Sequence, residues 1–181
     1  MGKQICVIGG GHWGENHIRT LHEMGNLGAV VDMNVARLEE LKEKYGMEIY
    51  TDLDAAIAHG YDEVRLCCAL GGSLDHLLAN VQSLHFAAEA GLRASAADGK
   101  TELLVLRPGE YRFEKRLGWK FSVFALTDRV EGVTIRGSKY DVEDAELTNA
   151  FPLGVGNDFK TDISLDFCSG IAAVLLCDRG E

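Results

Sequence analysis

The chain has 181 residues, 46% hydrophobic and 25% charged, enough to bury a core in one large domain or two small ones. Its formal net charge is −10 and no basic stripe is visible, which argues against nucleic acid and against an anionic membrane surface as partners. The opening MGKQICVIGGG holds an apolar run too short for a signal peptide, and nothing later approaches about 18 apolar residues in a row. Cys6, Cys67, Cys68, Cys168 and Cys177 are odd in number, lack CxxC spacing and sit in or beside apolar runs. They read as buried free thiols in a reducing, cytoplasmic setting.

Residues 5–8 (ICVI) form a continuous apolar run, as a buried parallel strand does. A glycine cluster follows, then a helix with Gly14, Ile18, Leu21 and Gly25 on one face. Residues 27–31 give a second strand. Asn34 is suited to cap a helix whose face is Leu38, Leu41 and Tyr45, and Gly46 ends it. Ile49 and Tyr50 suggest a short third strand. Thr51 and Asp54 form a capping-box-like start to a short helix that stops at Gly60. Residues 64–70 are another strand, and Asp75 opens a helix with Leu77, Val81, Leu84 and Ala88 on one face, closed by Gly91. The alternation of strand and helix predicts a mainly parallel, Rossmann-like sheet over residues 1–98.

Near residue 95 the rhythm changes to short, turn-bounded apolar segments with no sustained helical face. That pattern predicts an antiparallel β-sandwich over residues 99–181, with the boundary at Asp98 and Gly99 and no long linker. Trp119 and Phe121 are expected to face its core.

Two loops carry chemistry. Residues 9–14 (GGGHWG) are a GxGxxG that follows a strand and opens a helix. Gly9 permits the tight turn, Gly11 lets the backbone approach a pyrophosphate, and Gly14 lets helix and strand pack closely. His12 and Trp13 lie in the same turn, Trp13 expected to pack beneath it. Asp32, at the end of the second strand, is placed to accept hydrogen bonds from an adenosine ribose and to repel a 2′-phosphate, so NAD(H) suits the turn better than NADP(H). A purely structural glycine turn is the alternative. The second loop is CCALGGSLDHLLAN, residues 67–80. Asp75 and His76 stand at a helix N-terminus beyond a strand's C-terminal end, where open parallel sheets bind ligands. Asp75 either holds Mg²⁺ or a phosphate-bound water, or only caps the helix. The remaining histidines show no metal-type pairing, and the acidic run 141–147 (DVEDAEL) reads as a solvated strand edge or turn.

Two resemblances follow from these motifs. The segment from ICVIGGGHWGENHIRTL to YTDLDAAI, roughly residues 1–57, resembles the start of the Gfo/Idh/MocA oxidoreductases. That family's Glu-Lys-Pro segment and large C-terminal sheet domain have no counterpart here, so the resemblance implies dinucleotide binding without dehydrogenase chemistry. Roughly residues 59–181 resemble thiamine pyrophosphokinases: ALGGSLDH is similar to their GGRxDH region, DRVEGVTIRGSKYDVEDAEL to their GVT..GLKY segment, LGVGND to their LGxSNE, and SGIAAVLLC to their closing strand. This second resemblance implies pyrophosphoryl transfer from ATP to thiamine with Mg²⁺, in a homodimer. It assigns Asp75 and His76 to the phosphate side and Asn157 and Asp158 to the thiamine side. Asp52, in a Thr-Asp pair, becomes a second candidate catalytic and metal-binding carboxylate beside Asp75.

The departures matter as well. The pyrophosphokinases' early Asp-x-Asp-Ser-type motif is absent, Ser73 stands where they have Arg, and Pro152 and Gly156 replace serines near thiamine. The chain therefore reads as a chimera joined near residues 52–60, with one sheet expected to carry both the glycine turn and the Asp75 loop. Three functions remain open: an impaired thiamine pyrophosphokinase, a dinucleotide-binding module, and a folded scaffold with neither activity.

Overall fold

The computed structural model describes residues 5–67 and 69–180; the reading of Cys68 lies outside them. The chain divides into two compact units, Met1–Asp62 and Glu63–Glu181.

The first unit alternates strand and helix: β1 (Ile5–Ile8), α1 (His12–Glu23), β2 (Leu27–Val31), α2 (Val35–Tyr45), β3 (Glu48–Tyr50) and α3 (Leu53–Ala58). The strands pair in parallel in the order β1-β2-β3. Ile18, Val30, Leu38, Leu41 and Met47 are buried together, so the helical faces expected from 3.6-residue spacing do cover the sheet. Asn34 caps α2, its side chain accepting the Arg37 N–H at 3.1 Å, and Gly46 ends the helix in the left-handed conformation. The start of α3 differs from expectation: Asp52, not Thr51, is the cap, accepting the Ala55 N–H at 2.8 Å.

β1 is parallel but not the buried strand its apolar run suggested. Ile5 and Ile8 are exposed, because among the described residues β1 pairs with β2 alone. The expected single sheet is also corrected. β4 (Glu63–Cys67), the strand that leads into the Asp75 loop, pairs in parallel with β5 (Arg93–Ala97), and both belong to a separate nine-stranded sheet.

That second sheet runs β10 (Val142–Thr148), β9 (Arg129–Ser138), β11 (Gly154–Phe167), β8 (Trp119–Ala125), β12 (Ala172–Asp178), β6 (Thr101–Leu106), β5 and β4, with β7 (Gly109–Phe113) added on β11. α4 (Leu74–Glu89) is the crossover between β4 and β5, and it buries Leu84, Ala87 and Ala88. The change of rhythm read at Asp98 and Gly99 is a hairpin turn. Asp98 Oδ1 accepts the N–H groups of Lys100 (3.2 Å) and Thr101 (2.8 Å), and β6 (Thr101–Leu106) returns antiparallel along β5. One sheet thus passes through this point, while the compact units separate at Asp62 and Glu63.

The rest is antiparallel: β7 (Gly109–Phe113), β8 (Trp119–Ala125), β9 (Arg129–Ser138), β10 (Val142–Thr148), β11 (Gly154–Phe167) and β12 (Ala172–Asp178). β11 turns the corner that makes a sandwich. Its first residues pair with β8, and from Phe159 onward it pairs with β9 and β7. The core between the faces is Phe121, Val123, Val130, Val133, Ile163, Leu165, Val174 and Leu176, with Trp119 packed at its margin. Gly137 is required here: at φ +88° a Cβ would lie 2.1 Å from the Asp162 carbonyl of the crossing strand. The architecture is therefore a small parallel α/β sheet followed by a large mixed, mostly antiparallel sheet folded as a sandwich. Among the described residues no helix is long and apolar enough to cross a membrane.

The cysteines depart from the expected burial. All four described ones are free, but Cys67 and Cys168 are exposed and Cys6 and Cys177 are half-buried. Burial pushes the Cys6 thiol up to about 11.

Candidate functional site

The glycine turn joins β1 to α1. Gly9 sits at φ +93° and donates its N–H to Val31 O at 2.8 Å. Gly14 cannot be replaced without movement, since a Cβ there would lie 1.8 Å from Gly9 O. A Cβ at Gly11 would meet no atom within 4 Å, so the backbone is open on that side, and no side chain caps α1. Uncapped N–H groups beside open backbone suit a phosphate. Trp13 does not pack beneath the turn as expected; it is 77% exposed, and its ring stands edge-to-face with that of His12.

Asp32 is used differently from the simple expectation. Its Oδ2 accepts the Gly10 N–H at 2.7 Å and its Oδ1 the Asn34 N–H at 2.8 Å. The Asn34 and Gly10 amides hold its carboxyl below the usual carboxylate range. Two bonds leave the carboxylate further lone pairs, so a ribose hydroxyl can still be accommodated.

Sequence reasoning missed Arg37. Its Nε donates to Gly10 O at 2.8 Å, while its two Nη atoms pair with Glu40 (2.7 Å) and Glu15 (2.5 Å). Both ends of Gly10 are therefore held by side chains from the segment after β2. Glu15 also receives Lys44 at 2.7 Å; Lys44 and then Arg37 draw its carboxyl down to about 2. The available signal was Arg37's place one turn beyond the Asn34 cap, on the side of α2 that turns back to the loop.

In the second unit, Asp75 and His76 lie in the first turn of α4 with side chains 79% and 80% exposed. Ser73 Oγ and His76 Nδ1 share a hydrogen bond of 2.6 Å, and His76 Nδ1 lies 3.3 Å from Asp75 Oδ1. The Ser73 hydroxyl, followed by the His76 amide and ring, holds the Asp75 carboxyl below its ordinary range. Asp52 belongs to the first unit and caps α3. Among the described residues no three of His, Cys, Asp and Glu converge as a metal site. Mg²⁺ is commonly held by one or two carboxylates together with the phosphates it serves, and the exposed Asp75 carboxylate is open to such a shared ion.

Asn157 is 8% exposed and fully committed. Its Oδ1 accepts the N–H groups of Tyr140 (2.9 Å) and Asp158 (3.0 Å), and its Nδ2 donates to Ser138 Oγ and Tyr140 O, both at 2.9 Å. It fastens the turn after β9 to β11. Asp158 is ion-paired with Lys120, and Lys139 lies 4.0 Å away. Lys120 foremost keeps its carboxyl low. Ser138, Tyr140 and Lys120 were not anticipated. Ser138 and Tyr140 lie at alternate positions of GSKYD, which is the only hint the sequence offers.

Among the described residues, cavities of two sizes open on the sandwich. The larger, about 270 Å³, is lined by Phe124, Leu147, Thr148, Phe151, Pro152 and Leu153 among others. The smaller, about 130 Å³, lies between Arg116, Trp119, Lys120, Asp158 and Phe159.

No curated protein sequence matches this chain. Solved structures do. A thiamine pyrophosphokinase from Bacillus subtilis aligns with a TM-score of 0.70 at 18% identity, over 97% of this chain and 88% of that one. One from Geobacillus thermodenitrificans aligns at 0.65 and 21% identity, over 90% of this chain and 83% of that one. The Candida albicans protein gives 0.62 at 12%, over 91% and 79%. These alignments run across both units, so the N-terminal α/β unit has a place within that fold and requires no oxidoreductase relative to explain it. Residues 110–172 match the family profile "Thiamin pyrophosphokinase, vitamin B1 binding domain", so the sandwich carries that domain's sequence pattern and the whole chain has the fold of the solved thiamine pyrophosphokinases.

Proposed function

We propose that the chain is a thiamine-binding protein of thiamine pyrophosphokinase type, in which pyrophosphoryl transfer from ATP is weak or lost. The observation that carries this reading is the vitamin B1 binding profile on residues 110–172, which spans the strands around the larger cavity. A cavity of about 270 Å³ walled by Phe124, Phe151, Pro152 and Leu153 suits a flat, cationic heteroaromatic ring, held by apolar contact and by the electron-rich ring faces. Asn157 and Asp158 act on the same strand as positioning residues. Asn157 fixes the strand against the 138–141 turn, and Asp158 anchors Lys120.

The impairment rests on the missing carboxylates. Phosphoryl transfer depends on positioning and on neutralising charge, and Asp75 with His76 is a single exposed pair. We assign residues 1–98 to the nucleotide side and 99–181 to the thiamine side. We read the whole as a cytoplasmic homodimer. Calorimetric titration with thiamine tests the main reading. Saturable binding that Phe151→Ala weakens at least about tenfold supports it; no binding at millimolar thiamine refutes it. A thiamine-dependent release of AMP at ordinary enzyme rates would overturn the impairment.

A second reading, dinucleotide binding at residues 9–14, is favoured by the open backbone at Gly11 and the uncapped α1. It requires thermal stabilisation by NAD(H) that Gly11→Val or Asp32→Ala abolishes.

A further inference from the structure

On a chain with 28 acidic and 18 basic residues, the larger cavity has no charged side chain among the described residues of its wall. That wall is apolar except at Thr148 and Asn149, which stand side by side where β10 ends. The chain then bends back, the Phe151 N–H donating to Thr148 O at 3.4 Å, so that Phe151 joins the same wall.

Asn149 is held in place. Its backbone N–H donates to the Asp128 carbonyl and its Nδ2 to Asp128 Oδ1, each at 3.3 Å. Asp128 lies in the turn between β8 and β9, and that turn is itself fastened. Thr127 Oγ1 donates to Arg129 O at 2.7 Å and accepts the Ile171 N–H at 3.0 Å. An ionised carboxylate only accepts hydrogen bonds, so the amide nitrogen of Asn149 has to be the end turned towards Asp128. Asp128 does not line the cavity, which leaves the Asn149 carbonyl oxygen, Oδ1, as the end available to a ligand there. The neighbouring negative charge polarises the amide and makes Oδ1 a stronger acceptor. The cavity thus sets one fixed acceptor beside an aromatic, apolar wall. Its complement is a flat heteroaromatic ring with an N–H donor on its edge, and the aminopyrimidine ring of thiamine has such a donor in its exocyclic amino group.

We infer that Asn149, oriented by Asp128, accepts a hydrogen bond from the amino group of the bound pyrimidine ring, so that the site selects amino-substituted over oxo-substituted pyrimidines. This rests on the assignment of the larger cavity to thiamine and names the contact that orients the ring. Asn149 is the contact residue and Asp128 a positioning residue. An oxo ring brings a carbonyl to the place of the amino group, so that two acceptors face each other with no proton between them. Apolar walls alone discriminate poorly between rings of equal shape, whereas a fixed polar partner discriminates strongly.

The experiment is calorimetric titration of the full chain with thiamine and with its 4-oxo analogue, oxythiamine. Thiamine is expected to bind about tenfold or more tightly than oxythiamine. Asn149→Ala should weaken thiamine binding, spare oxythiamine binding and bring the ratio of the two affinities near one. Asp128→Ala frees the amide to turn over and should shrink the ratio with Asn149 still present. Both residues are exposed, so both variants should keep the parent melting temperature. Phe151→Ala is the contrast: it should weaken both ligands together and leave the ratio unchanged. If thiamine binds but Asn149→Ala keeps the parent preference between the two ligands, this inference falls and the thiamine reading stands. If neither ligand binds, both fall.

Discussion

The two units solve one problem, covering the faces and edges of a sheet, with very different means. The first has three short parallel strands and a small core around Ile18, Val30, Leu38, Leu41 and Met47, and it leaves the apolar edge strand β1 partly uncovered. Its glycine turn is held by polar contacts: Asp32 and Arg37 grip Gly10 from both ends, and Glu15 with Lys44 steadies Arg37. The second folds a long sheet on itself through β11, so its functional surfaces rest on strands packed against a continuous apolar core. Apolar area buried is the main source of stability, so the sandwich is the rigid scaffold and the glycine turn the conditional one.

The chain's two tryptophans report on the units separately, since Trp13 lies in the exposed turn and Trp119 against the sandwich core. The largest effect is expected from Phe121→Ala. It empties the centre of the sandwich and should cost about 3–5 kcal/mol in urea unfolding followed at Trp119. Asn157→Ala follows, at about 1–3 kcal/mol, because the Tyr140 amide loses its acceptor and the buried Ser138 hydroxyl keeps only Asp141. In the first unit, Gly14→Ala drives a Cβ into Gly9 O and should cost about 1–3 kcal/mol, seen as earlier unfolding at Trp13. If Gly14→Ala were silent there, the turn would be looser than described.

The smallest effect is electrostatic. The folded pKa of Glu15, about 2, lies below its ordinary 4.5. Its contribution to stability is therefore complete above about pH 4.5 and is lost as pH falls towards 2. Glu15→Gln should flatten the acid limb of the Trp13 transition over that window and leave the Trp119 transition unchanged. High salt should mimic the substitution.

Local features were legible in the amino-acid sequence and long-range partnerships were not. Asn34 and Gly46 announce a helix's two ends by their own backbone chemistry, and Leu38 and Leu41 mark its buried face by spacing alone. The alternation in WKFSVFA places Phe121 and Val123 inside. Alternation says which face a strand buries, but not which strand lies beside it. Hence β1 and β4, both followed by glycine loops, are expected from sequence in one sheet, although β1 pairs with β2 and β4 with β5 in separate sheets. The Asp98–Gly99 turn was visible as a break, yet a hairpin and a domain boundary share the same residues. At the sites, glycines and carboxylates in motifs were visible. Arg37, Ser138 and Lys120 were not, because they reach their partners across 27, 19 and 38 positions of the chain.

The place at which thiamine would bind is the most direct test. Titrating the isotopically labelled chain with thiamine, and reading backbone amide shifts, should perturb residues 147–156 around the Phe151–Leu153 wall and leave residues 9–14 unmoved. Shifts centred on the glycine turn, or none at saturating thiamine, would contradict it.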